Sequence, residues 1–330
     1  MVDLVPASPS GREIPAGAGE GKLRTFAGNL LGKVFAVSSA TLKPPAVGDD
    51  TSSARLKQVV FTVTECCQTT VLDPRFETLV PKLDAYDEEL AGFAYEGAGV
   101  GLAALDTLVP TKRRTRAFAT GPGAPYIFGI YLGAGMGLAR MRFNPEPFRE
   151  RLGDPLFGWA VLDGYGFHQG FFAHKRYVIE QRLPGHLRGY GRRVFDHGMG
   201  RSIWFSSGAD VERVGATIAG FPETRQADLW QGVGLACGYT GGVDRPTIER
   251  LRVVAGERQG HLAVGAAMSA SIRHHVGNLA DHNDFASEVL CGMPSAEAAA
   301  AVDSLRRGLP TAPEVPAYAL WRQRILRRFE

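Results

Sequence analysis

Six copies of a small-residue motif, spaced about one helix pair apart, constrain this chain more than any other feature. EGAGVG begins at Glu96, LGAGMG at Leu132, DGYGFH at Asp163, HGMGRS at His197, QGVGLA at Gln231 and VGAAMS at Val264. The leading glycines, Gly97, Gly133, Gly164, Gly198, Gly232 and Gly265, follow one another at steps of 36, 31, 34, 34 and 33 residues. A period near 34 is the length of one helix-turn-helix unit of an α-solenoid, in which each unit buries its apolar face only against its neighbours. Glycine inside a helix costs roughly 1 kcal/mol relative to alanine. Two or three per helix therefore need compensation, which close helix packing supplies because a missing side chain lets a neighbouring backbone approach.

Each motif lies inside an apolar, aromatic stretch long enough for three or more helical turns, such as Phe93-Ala94-Tyr95 before the first and Phe157-Gly158-Trp159 before the third. Polar, proline-punctuated connectors carry a second amphipathic segment, clearest at Pro145 to Leu152, Asp210 to Phe221, Pro246 to Ala255 and Asp284 to Leu290. Asp210 reads as an N-cap, and Pro145 and Pro246 as first-turn prolines. Ser295 to Arg307 and Ala317 to Arg328 read as two closing helices, the last one basic. The predicted fold is all-α, a tetratricopeptide-like α-solenoid of about six 34-residue helix pairs. Trp230-x-x-Val233-Gly234-x-x-Cys237 and Tyr131-x-x-Ala134-Gly135-x-x-Leu138 follow the large, aliphatic, glycine, large order of a tetratricopeptide first helix. Residues 1–54, rich in Gly, Pro, Ala, Ser and Thr with one apolar island from Phe26 to Val37, read as a mostly flexible arm, and 55–330 as a single repeat domain.

Composition narrows the partners. With 330 residues, 45% hydrophobic, and a formal net charge of +3, the chain can bury a large core and nothing in it calls for nucleic acid. The one short basic run, Lys112 to Arg116, has no interleaved aromatics. The longest apolar run, Tyr126 to Ala139, is 14 residues, too short to cross a bilayer. Peripheral membrane contact through the N-terminal island and the basic final helix stays open. Four cysteines, Cys66, Cys67, Cys237 and Cys291, without a secretory leader, point to free thiols in a cytoplasmic compartment.

The motifs also hold ionisable residues in apolar surroundings, where an unpaired charge is costly. Asp163 and His168 lie in the third copy, and on a helix His168 shares a face with Gly164, so its imidazole would look across a glycine gap. Asp196, His197 and Arg201 lie in the fourth, where His197 and Arg201 share a face suited to an anionic or polar group. These five are the candidate catalytic residues, and Glu96, Tyr165, Trp204 and Trp230 the candidate ligand contacts. Glu96, Asp163, His197 and Gln231 all precede a leading glycine, so superposed repeats would align them as a polar ladder, either buried as a site or exposed as a solubilising edge. Inter-repeat salt bridging and a satisfied core histidine are the rival structural explanations. Gly99-Val-Gly101-Leu-Ala-Ala104 formally fits a relaxed dinucleotide fingerprint, but lacks the preceding strand and the acid about 20 residues on. His274, His275, Asp281, His282 and Asp284 lack metal-ligand spacing, and no metal site, nucleophile or cofactor can be named.

Four ordered blocks, Phe93-Ala-Tyr-Glu-Gly-Ala, Leu162-Asp-Gly-Tyr-Gly-Phe-His-Gln-Gly-Phe-Phe, Phe195-Asp-His-Gly-Met-Gly-Arg-Ser-Ile-Trp-Phe and Ala227-Asp-Leu-Trp-Gln-Gly-Val-Gly-Leu-Ala-Cys, resemble an actinobacterial family of unknown biochemical function. Its members look like proteins encoded beside enediyne polyketide synthases, and the resemblance covers roughly residues 55–310. It implies an accessory role in building or handling the enediyne core, an antibiotic precursor that begins as a linear, apolar polyene. It transfers no catalytic residue. Two roles follow: an enzyme or polyene binder with an aromatic-lined channel, or a non-catalytic scaffold joining synthase and tailoring proteins. The channel would reach at least one of the candidate polar residues; the scaffold would have an exposed groove and no enclosed cavity.

Overall fold

The computed structural model describes residues 50–310 and 314–329. The apolar island and nearly all of the N-terminal arm lie outside these residues. Every regular element among them is helical. Helix α1 spans Asp50–Leu72, α2 Phe76–Leu83, α3 Glu88–Leu108, α4 Arg114–Ala119, α5 Ile127–Arg140, α6 Pro145–Leu152 and α7 Ala160–Phe172. They are followed by α8 Tyr190–Ser206, α9 Val211–Ala219, α10 Glu223–Thr240, α11 Arg245–Ala255, α12 Gln259–Val276, α13 Asp281–Cys291, α14 Ser295–Ser304 and α15 Ala317–Phe329. Caps set several boundaries: Asn144, Asp210 and Asp244 accept hydrogen bonds from the first turns of α6, α9 and α11, and prolines sit just inside α6 and α11. In the third unit the second helix is replaced by a π-helical turn, Lys175–Ile179, and a loop.

The six glycine motifs lie in α3, α5, α7, α8, α10 and α12, which pack on one another in that order as an inner layer, with the short helices outside. A Cβ built at Gly133 would lie 1.8 Å from the Glu96 carbonyl oxygen, at Gly164 1.8 Å from that of Leu132, and at Gly198, Gly232 and Gly265 1.9 Å from those of Asp163, His197 and Gln231. Each of these five leading glycines thus rests on the carbonyl of the residue that precedes the leading glycine of the previous helix, and Gly97 and Gly101 of the first copy face the Val63 and Cys67 carbonyls of α1. In the first five copies the second glycine meets the following helix, as Gly135 does at Val161 and Gly200 at Leu229. Backbone sits on backbone, at the approach where Cα–H groups contact carbonyls. Gly129, Gly133 and Gly137, four apart, face the carbonyls of Gly92, Glu96 and Val100, also four apart, so the helices run parallel and in register.

The packing is consistent with an α-solenoid. Its succession curls until the start of α3 meets the ends of α10 and α12. Tyr239 meets Phe93 edge-on at 5.1 Å, the Arg273 guanidinium donates to the carbonyls of Tyr239 and Glu89, and the Asn278 amide donates to that of Glu88 at 2.8 Å. Helix α14 packs on α12, and α15 inserts Arg322 into the interior. The formal dinucleotide fingerprint is helix interior, with Gly99 against the Ile130 carbonyl.

Candidate functional site

A residue that precedes a motif glycine and the residue four positions later share one helical face. In the curled inner layer that face points to the axis, which brings together Glu96 and Val100, Leu132 and Met136, Asp163 and Phe167, and His197 and Arg201. The ladder foreseen from the repeat is therefore real and buried: Glu96, Asp163, His197 and Gln231 are each less than 5% exposed. Two arginines stitch it. Arg201 donates to Asp163 Oδ1 at 3.0 Å and approaches Glu96 Oε1 at 3.5 Å, while His197 Nδ1 lies 2.6 Å from Asp163 Oδ2. Arg322 donates to Gln231, to Asp228 Oδ1 at 2.9 Å and to the Tyr190 hydroxyl at 3.1 Å.

Burial alone would raise the Asp163 carboxyl, but His197 and Arg201 outweigh it and hold Asp163 below the ordinary carboxylate range. Burial also lowers His197 despite Asp163 beside it. These directions agree on a neutral imidazole whose Nδ1–H donates to an ionised Asp163, leaving Nε2 as a buried acceptor with no protein partner. Glu96 is raised by burial, with Arg201 opposing. One guanidinium thus serves two carboxyl groups, and a proton on Glu96 makes the cluster neutral.

Glu96 and Arg201 also line a crevice. Three adjoining pockets have empty volumes, open solvent included, of about 410, 460 and 360 Å³. The first and second share Val63, Thr64, Met136 and Phe172, and the second and third share Phe93, Glu96, Arg201 and Phe205. The walls are mostly apolar, with aromatic rings concentrated in the second and third pockets, where Phe167, Phe171, Phe128 and Tyr239 add to these. The Arg201 guanidinium lies over the Phe167 ring at 5.0 Å, which holds the cation against an apolar surface. At the far end stand His168 and Arg140. Burial, with Arg140 nearby, pushes His168 down to about 3, so its imidazole is neutral at physiological pH, and its Nδ1 has no protein partner. Such a crevice offers an apolar chain a neutral imidazole beside Arg140 at one end and the Glu96–Arg201 pair at the other.

The sequence-derived residues therefore divide. Glu96, His168 and Arg201 reach the crevice, and Asp163 and His197 stand behind Arg201 with no exposure. Asp196 faces away and is bound by Arg225, whose Nε donates at 2.9 Å. Tyr165, Trp204 and Trp230 are buried in the core and line none of the three pockets, because their positions on the inner helices face neighbouring helices rather than the axis. Sequence reasoning missed Arg140, Arg322, Asp228 and the phenylalanine walls. One signal was available: four residues after each ladder position stand Val100, Met136, Phe167, Arg201 and Leu235, all of which line the crevice.

Among the described residues no group of three or more His, Cys, Asp or Glu side chains is placed to hold a metal ion, and no helix is long and apolar enough to cross a membrane. Burial pushes the Cys66 thiol up to about 11 and Cys237 up to about 12, which makes both poor nucleophiles. No curated protein and no solved structure matches the chain. The model of one family, described as protein of unknown function (DUF1702), matches residues 33–329, and the chain belongs to that family.

Proposed function

We propose that this protein holds an elongated, apolar small molecule in the axial crevice, and that the molecule is a linear polyene intermediate of enediyne core biosynthesis, handled by an accessory protein in the cytoplasm. The observation that supports the reading is the set of three adjoining pockets that share lining residues from His168 and Arg140 to Glu96 and Arg201, with phenylalanines gathered in the second. A conjugated chain gains by burial against phenylalanine rings, and a carbonyl or hydroxyl on it can pair with Arg201 or with a protonated Glu96. The enediyne assignment itself rests on the sequence resemblance. The repeat behind the crevice, six tetratricopeptide-like units of about 34 residues of which the third lacks its second helix, is supported by the common glycine register. The rival scaffold role predicts no cavity of this kind.

The test is mass spectrometry of small molecules that co-purify when the protein is expressed beside its synthase, with recovery of a polyene as the expected outcome. In parallel, a conjugated tetraene fatty acid and its methyl ester serve as fluorescent probes. Thr64→Phe, in the wall between the first two pockets, should weaken probe binding about tenfold by occluding the passage. Full probe affinity in a folded Thr64→Phe variant, with no co-purifying ligand, would sink the reading in favour of the scaffold.

A further inference from the structure

Because α1 runs parallel to α3, with Gly97 and Gly101 facing the Val63 and Cys67 carbonyls, and α5 and α7 continue the same direction, all four helices end at the same rim of the molecule. That rim is unlike the rest of the surface. Of the nine large hydrophobic side chains exposed among the described residues, five stand there: Leu72 closes α1, Leu108 and Val109 close α3, Phe143 follows α5 and Ile179 follows α7, each between 40% and 65% exposed. The same four helix ends, residues 70–75, 106–116, 140–144 and 172–182, hold ten lysines and arginines against three acids. Those acids are already engaged: Asp73 by Arg75, Asp106 by Arg114 and Glu180 by Arg182.

Cations near helix C-termini complement the helix dipoles, which accounts for part of the charge. It does not account for bare leucine, phenylalanine and isoleucine among them. Apolar side chains on successive loops, interleaved with exposed Lys112, Arg113, Arg142, Lys175 and Arg176, fit a surface that is anionic at its face and hydrocarbon beneath. A bilayer also asks for no matching shape, which suits knobs spread over four loops better than a folded partner would. The rim is continuous with the crevice, since Arg140, the last residue of α5, lines its first pocket beside Phe172, the last of α7.

We propose that this rim docks the protein on an anionic lipid surface, with the mouth of the crevice facing the bilayer. Apolar cargo would then enter from lipid rather than from water. The surface stands on its own observations, so its failure leaves the ligand reading untouched.

The test is co-sedimentation of the full chain with phosphatidylcholine vesicles and with vesicles enriched in phosphatidylglycerol, at low and at high salt. The expected result is salt-sensitive binding to the anionic vesicles only. Combined Phe143→Asp and Ile179→Asp should weaken it by about tenfold or more, and Lys175→Glu with Arg176→Glu by a similar factor. Val253→Asp, at an exposed position on the outer α11, and Arg327→Glu with Arg328→Glu, on α15, should leave it unchanged. Circular dichroism checks folding, and Leu72→Asp gives a second, separate reading. The proposal is overturned if anionic vesicles fail to bind at low salt, if the rim variants bind as well as the parent, or if the α11 and α15 variants lose binding equally.

Discussion

Gly198→Ala tests the packing argument at its tightest point. The new methyl would lie 1.9 Å from the Asp163 carbonyl oxygen and 2.7 Å from the Phe167 nitrogen, whereas a carbon rests about 3.3–3.6 Å from an oxygen it contacts. Helix α8 must therefore retreat from α7 by more than an ångström along that contact. Helix propensity favours the substitution by about 1 kcal/mol. Against this stand the overpacking cost of roughly 1–3 kcal/mol and the loosening of the His197–Asp163 and Arg201–Asp163 contacts, which cross the same interface. Breaking a buried ion pair costs about 3–5 kcal/mol, and partial loss leaves a net destabilisation of about 3–4 kcal/mol. Urea denaturation followed by circular dichroism measures it. Gly185→Ala is the control, since nothing lies within 4 Å of its added methyl, and it should be neutral or slightly stabilising. A Gly198→Ala protein as stable as its parent would refute the backbone-on-backbone account.

Three other outcomes follow from the buried polar groups. His168 is held low by burial, so its folded-state pKa lies below the unfolded value and its contribution is present above about pH 6.5 and lost as pH falls toward 3. Replacing it with glutamine should flatten the stability profile between pH 4 and 6 by about 1.4 kcal/mol per pH unit, measured by urea titration at each pH. Asp163→Asn leaves Arg201 with Glu96 as its one carboxyl partner in the cluster and should cost about 3–5 kcal/mol, with the Glu96 carboxyl falling toward its ordinary range, readable by carboxyl infrared bands. Arg322→Met withdraws the donor from Gln231, Asp228 and Tyr190, so α15 should undock and its preceding linker become cleavable in limited proteolysis.

Local pattern made most of the helices readable. Pro145–Leu152 and the starts of α14 and α15 agree residue for residue, because prolines, caps and apolar spacing act within a few residues. The glycines were legible as packing devices since they recur, whereas a single copy resembles a phosphate loop. The ladder was legible as a register, but whether it was buried was not, because burial depends on the curl that brings α10 and α12 back to α3. Arg322 illustrates the limit: it lies 91 residues from Gln231, outside the repeat, and no periodicity announces it. Tyr165, Trp204 and Trp230 mark the opposite error, where aromatic character suggested a ligand and the helix phase turned the ring into the core. The family match reaches back to residue 33, into the stretch read as an arm, where composition alone carries little signal.

The position before each leading glycine has a divided labour. Its main-chain oxygen bears the next helix, and any amino acid provides that oxygen; its side chain is left over, aimed at the axis. Glu96, Leu132, Asp163, His197 and Gln231 occupy these places, so acid, base, amide and hydrocarbon are all tolerated by one architecture. A substitution at one of these places leaves the oxygen, and with it the helix contact, intact, whereas a methyl added to the facing glycine does not. A redesign of the crevice should begin at Glu96 and Leu132, the two of these places that line it.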